Sequence, residues 1–134
     1  MSHNIKLSGV KIRDLDVLAT VAMEISGGKA VLDKSATKFR TYHGQPNQCQ
    51  AAIVLPGKHD VGLIRNNDGS YSPMFDPYTM DTCLRGAFAT NHIGGLLQEY
   101  ALREAEYEAA QRGMSSQRIE GEKGMVTLEL VAAN

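Results

Sequence analysis

The chain has 134 residues, 43% of them hydrophobic and 22% charged, with a formal net charge of −1. That length suits a single domain, residues 1 to 134, able to bury roughly two-thirds of its unfolded surface without a metal or a disulfide framework. The basic residues are scattered and form no stripe of the kind a dedicated nucleic-acid binder carries. No apolar run is long enough for a membrane span, and no basic start followed by an apolar stretch marks a signal peptide, so a cytoplasmic protein is expected.

Ile5, Leu7, Val10 and Ile12 predict an opening strand, with Gly9 where the alternation slips by one, as at a bulge. Asp14 reads as a helix N-cap, followed by Leu15, Leu18, Val21, Ala22 and Ile25 on one apolar face. Gly27-Gly28 ends that helix. Weaker patterns at Ala30-Val31-Leu32 and at Thr37 to Thr41 predict two short strands, and Gly44-Gln45-Pro46-Asn47 a turn.

Gln48 to Leu55 reads as a central strand, closed by Pro56-Gly57. His59 to Tyr78 then forms a tight hairpin whose corner, Asn67-Asp68-Gly69, supplies the positive φ that a short loop needs. Residues 38 to 75 are therefore expected to be an antiparallel meander, ended by Pro73 and Pro77 because proline cannot donate to a ladder.

A helical region follows from about Met80 to Arg112, weak around Gly86, Gly94 and Gly95 and strong from Leu96, with Gly113 as its stop. Its face bearing Glu99, Arg103, Glu106 and Glu108 is expected to be solvated. Ile119, a Gly-Glu-Lys-Gly turn, and Val126, Leu128 and Leu130 alternating with polar residues predict a terminal hairpin. The order β-α-β-β-β-α-β defines an α+β class. Its economical packing is an antiparallel sheet of four to six strands with two helices on one face, ferredoxin-like (split βαβ), with an extra hairpin.

Chemistry is harder to find. His3 near a free amine suggests copper or nickel binding, but loss of Met1 before the small Ser2 would spoil that geometry. His43, Cys49, His59 and Cys83 match no closed zinc module in their spacing and are read as separate residues, the cysteines as reduced thiols. His92 could act as a base at a helix start, yet no nucleophile accompanies it. Asp60, Asp68, Asp76 and Asp81 would need to converge to make a carboxylate pair. The glycine pairs at 27-28 and 94-95 lack any phosphate-loop order. Neither a cofactor nor a metal is expected.

Three binding readings remain. Arg65, Asn66, Asn67 and Asp68 stand at the hairpin tip, with Tyr71 beside them, where a partner's acidic group or a phosphate could be met. Arg65, Asp76 and His92 could line one pocket for a small ligand or nucleotide, with hydrolysis as an extension. Tyr42, Tyr71 and Arg65 could offer a platform for single-stranded nucleic acid, which the absent basic stripe disfavours. A sheet with free edges also predicts self-association, with a symmetric dimer as the default.

Met1-Ser2-His3, Val10-Lys11-Ile12-Arg13-Asp14-Leu15, Tyr42-His43-Gly44-Gln45, Ala51-Ala52-Ile53-Val54 and, most specifically, His59 to Tyr71 carry a family resemblance. The chain resembles a conserved hypothetical family of cyanobacteria, plastids and tailed phages, hypothetical chloroplast frame thirty-five, in which the hairpin reads Arg-Asn-x-Asp-Gly-x-aromatic. The likeness extends in layout to a late helix ending near Arg-Gly and a closing β segment. Residues 72 to 95 lack the tryptophan-containing segment of the family, and the terminal hairpin is longer. The resemblance implies no agreed activity and no catalytic residues. It implies an accessory role, with a ring-forming ATPase among the possible partners. The expectation is a non-enzymatic interaction module that binds a host or phage protein by a sheet edge or the hairpin tip.

Overall fold

The structure is a computed structural model that describes residues 5–6, 11–41, 47–75, 94–121 and 126–132. Helix α1 (Leu15–Ile25) begins where the sequence places it: Asp14 Oδ1 accepts from the amides of Asp16 at 3.0 Å and Val17 at 3.1 Å. These bonds satisfy two of the donors that every helix start leaves open. At its other end Gly28, with φ 87°, donates from its amide to the Met23 carbonyl at 2.8 Å and turns the chain out of the helix. Val17, Leu18, Val21 and Ala22 are its buried face.

Strands β1 (Ile5–Lys6), β2 (Val31–Asp33), β3 (Lys38–Phe39), β4 (Asn47–Gln48), β5 (Ala51–Val54), β6 (Val61–Arg65) and β7 (Tyr71–Phe75) follow the chain. Helix α2 (Gly94–Gln111) comes next, then β8 (Met114–Glu120) and β9 (Val126–Ala132). Five strands make an antiparallel sheet in the order β1-β7-β6-β5-β2; β3-β4 and β8-β9 are separate two-stranded ribbons. The fold is α+β.

Alternation along β5, β6 and β7 sends Ala51, Ile53, Val61, Leu63 and Phe75 to one face, where they meet Leu18, Val21 and Ala22 of α1 and Leu96, Leu97 and Tyr100 of α2. Both helices thus cover the same face, as expected from the element order. Each large side chain buried here contributes about 2 kcal/mol. The opposite face carries Ala52, Gly62, Ile64 and Met74 and is roofed in part by Phe39 and Cys49. Gly62 is required by this roof. A Cβ at that position would stand 2.3 Å from the Phe39 ring, deep inside van der Waals contact.

Three sequence expectations are corrected. Among the described residues the strand order is not the split-βαβ one: β1 lies beside β7 at the end of the sheet, and β8 and β9 pair only with each other. The short turns of β5-β6-β7 already fill the sheet centre, which leaves only the edges for β1 and β2. The meander does not include β3; residues 47 and 48 pair with β3 under the sheet, and the chain joins the sheet from Gln50, whose amide donates to the Leu63 carbonyl at 2.9 Å.

Proline 73 does not end β7, which continues to Phe75. Tyr71 exchanges two backbone bonds with Ile12, at 3.0 and 2.7 Å, so residues 71, 73 and 75 direct their backbone groups away from β6. The amide that Pro73 lacks would have fallen between Ile12 and the two-residue β1, where the described strands need no donor.

Candidate functional site

The predicted tip is built as the sequence suggests. Asn66 donates from its backbone to the Ser70 carbonyl at 2.7 Å, and the Gly69 amide donates to the Asn66 carbonyl at 3.0 Å, with Gly69 at φ 87°. This is a short turn closed by a left-handed glycine, one of the short loops that join antiparallel strands. Side chains then lock it. Asp68 Oδ1 accepts from the Ser70 amide at 3.0 Å and the Ser70 hydroxyl at 2.6 Å, while its Oδ2 meets Lys11 Nζ at 2.9 Å. The Asn66 amide donates to both Ser70 Oγ and Ser72 Oγ at 3.0 Å.

These bonds sort the tip residues. Asn66 bonds within the hairpin, and Asp68 bonds to Ser70 and to Lys11, so both act as its frame. The bonds from Ser70, first the hydroxyl and then the amide, hold the Asp68 carboxyl well below the usual carboxylate range, with Lys11 adding to them. A carboxylate so firmly ionised is no proton shuttle near neutral pH. Arg65 is exposed at the end of β6; its backbone amide donates to Gln50 Oε1 at 2.8 Å, and its guanidinium bonds to no other described residue. Asn67 is exposed at the loop corner.

Tyr71 stands directly opposite Arg65 in the ladder, but it is half-buried against the main core. A ring packed in this way is not an open stacking platform, and Tyr42, the other ring of that reading, lies outside the described residues. Asp76 and His92 also lie outside them, as do His3, His43, Asp81 and Cys83. The structure therefore brings together Arg65, Asn66, Asn67, Asp68 and Tyr71.

Asp60 does not join them. It sits at the far end of β6, roughly 17 Å of strand away from the tip, and is 6% exposed. Burial works against its charge, but Arg40 outweighs this: Arg40 Nη2 reaches Oδ1 at 2.7 Å and the Arg40 amide reaches Oδ2 at 3.0 Å. With the Leu55 amide at 3.2 Å, these donors hold the carboxyl below its ordinary range. Asp60 thus fastens the β3 segment to the start of β6. Cys49 is buried with its Sγ 3.7 Å from the Ala36 carbonyl, and burial pushes its thiol up. Among the described residues no three His, Cys, Asp or Glu side chains gather as a metal would need.

Sequence reasoning missed a charged cluster between α2 and β8. Arg118 places Nη1 2.8 Å from Glu99 Oε1, and Nη2 2.8 Å from Glu99 Oε2 and 2.7 Å from Glu106 Oε1. Arg103 continues the chain of charges, 3.2 Å from Glu99 and 2.9 Å from Glu24 of α1. Glu99, Arg103 and Glu106 are 23 to 26% exposed, so the face expected to be solvated is partly covered. The available signal was the alternation Met114, Ser116, Arg118, which sets Arg118 on the row of the ribbon facing the helix. An open cleft of about 270 Å³ lies beside the cluster, lined by Gln98, Leu102, Glu120 and Val126 among others. None of the predicted tip residues lines it.

Among the described residues, no helix is long and apolar enough to cross a membrane. Comparison with known proteins found no matching family model, no matching curated protein and no matching solved structure.

Proposed function

We propose that this protein is a non-enzymatic interaction module that grips a protein partner with the β6-β7 tip. The observation that carries the reading is the division of labour at that tip. Asp68 and Asn66 fix the loop through Ser70, Ser72 and Lys11, while Arg65 and Asn67 stand exposed on the fixed frame. A loop already held in one shape loses little entropy on binding. Its exposed chemistry, one guanidinium and one amide, suits a partner that presents a carboxylate, which a guanidinium can hold with paired bonds.

The resemblance to the hypothetical chloroplast frame family, strongest over this same hairpin, supports an accessory role in the cytoplasm, with a ring-forming ATPase as one partner of the right kind. The test is affinity capture of the tagged full chain from its native cell, read by mass spectrometry. One stoichiometric partner is expected, lost from Arg65→Ala and weakened by Asn67→Ala while the melting temperature stays unchanged. A partner retained at full strength by the Arg65→Ala, Asn67→Ala double variant, or no partner at all, overturns the reading.

A further inference from the structure

The two kinds of sheet edge in this molecule are built differently. The five-stranded sheet ends in β1 and β2, strands of two and three residues that each include a charge, Lys6 and Asp33. Short, charged edges are how sheet proteins avoid joining other chains. The β8-β9 ribbon has no such protection. Its seven residue pairs run without interruption from Met114↔Ala132 to Glu120↔Val126. Helix α2 packs mainly against β8, the strand that carries Arg118 and Glu120, and among the described residues nothing pairs with the far side of β9. Strand β9 reads Val-Thr-Leu-Glu-Leu-Val-Ala, with no proline, no lysine and one charge. Leu130 is 46% and Val131 51% exposed.

We infer that β9 pairs with β9 of a second copy of this chain, antiparallel about a twofold axis on Leu130, giving a four-stranded sheet β8-β9-β9-β8. A twofold perpendicular to the sheet keeps each side chain on its own face, so even-numbered residues oppose even-numbered ones and odd oppose odd. Of the central registers, the one on Glu129 sets two carboxylates against each other, which is unfavourable for directly opposed residues. The axis on Leu130 instead places Glu129 opposite Val131, Leu128 opposite Ala132, and the two Leu130 side chains together. It also covers the most exposed apolar residues of the strand, whereas an axis on Leu128 would centre on a residue already half-buried. The edge thus meets itself without opposing like charges and with matching apolar residues, and four strands give the ribbon the support that two alone lack.

This inference stands on β9 and is independent of the role of the hairpin tip. Sedimentation of the purified full chain over a range of concentrations tests it, together with Leu130→Lys and with oxidation of a Leu130→Cys variant read by peptide mass spectrometry. The expected result is a monomer–dimer equilibrium, a dissociation constant raised roughly tenfold or more by Leu130→Lys, and a 130-to-130 crosslink that Glu129→Cys does not match. The crosslink does not depend on destabilising anything, so it separates loss of pairing from loss of fold. A chain that stays monomeric, as it would if β9 accepted only a foreign strand, overturns the proposal. So does a dimer that ignores Leu130→Lys and forms no crosslink at 130.

Discussion

In the five-stranded sheet Ile53 and Leu63 are 0% exposed and Phe75 1%, while in the terminal ribbon Ile119, Leu130 and Val131 are 44%, 46% and 51% exposed. Both regions are antiparallel, and the ribbon has the longer strands. What differs is the source of their order. Two helices on one face and Phe39 on the other bury the centre of the sheet. No described ribbon residue enters either cluster of buried side chains, and the described ion pairs between it and α2 are those of Arg118. Burial of apolar area scales with the surface removed from water, whereas partly exposed ion pairs are weak and screened by salt. Regular hydrogen bonding therefore does not make the two regions equally stable.

The largest effect that would break this contrast is at the sheet. Gly62→Ala should cost about 3 kcal/mol, the upper end for overpacking, because its Cβ would meet the Phe39 ring. Phe39→Leu in the same chain should recover part of that loss in urea unfolding. A Gly62→Ala protein of unchanged stability would mean that Phe39 is not seated there.

Next is Asp60→Asn, expected to cost about 2 kcal/mol through lost charge-assisted bonds from Arg40. The Asp60 carboxyl is held below its ordinary value when folded. Its contribution is thus present above about pH 4 and lost as pH falls further. The variant should flatten that part of the acid limb, and thermal melts from pH 2 to 7 would show it.

A smaller loss, about 1 kcal/mol, is expected for Tyr100→Phe. The Tyr100 hydroxyl oxygen accepts from the amides of Arg13 at 2.8 Å and Asp14 at 3.0 Å, and its proton goes to Glu104. Burial, then the Glu104 bond, pushes this phenol up to about 12. The folded value is raised, so the stabilisation is complete below about pH 10 and lost as pH rises towards 12. Tyrosine absorbance should show a late-titrating component that Tyr100→Phe removes.

The smallest global effect should come from Arg118→Ala, under about 1 kcal/mol because the pairs are part-exposed. Its local effect should be large, with ribbon amides exchanging faster and β5 to β7 unchanged.

Much of the contrast could be read before the structure. The Asp14 cap, the apolar stripe of α1, the Asn67-Asp68-Gly69 corner and the terminal hairpin are local, and local signals survive folding because neighbours in sequence make them. The same holds for the tip, where Asp68, Ser70, Asn66 and Ser72 bond within six residues. What was illegible depends on distance along the chain. Lys11 reaches Asp68 across 57 residues, Arg103 reaches Glu24 across 79, and Phe39 finds Gly62 from another ribbon. Charges spaced three and four apart on α2 carry no mark of whether a strand will cover them. Strand order likewise rests on pairings between distant segments, so among the described residues it differs from the split-βαβ order while the class holds.

The most direct test is amide hydrogen exchange on the full chain diluted until it is monomeric. The account predicts that β8 and β9 open together, with a free energy well below that of β5, β6 and β7, and that Arg118→Ala lowers the ribbon value alone. If ribbon and sheet instead exchange with one common free energy, and Arg118→Ala lowers both, the ribbon belongs to the core and the contrast drawn here is wrong.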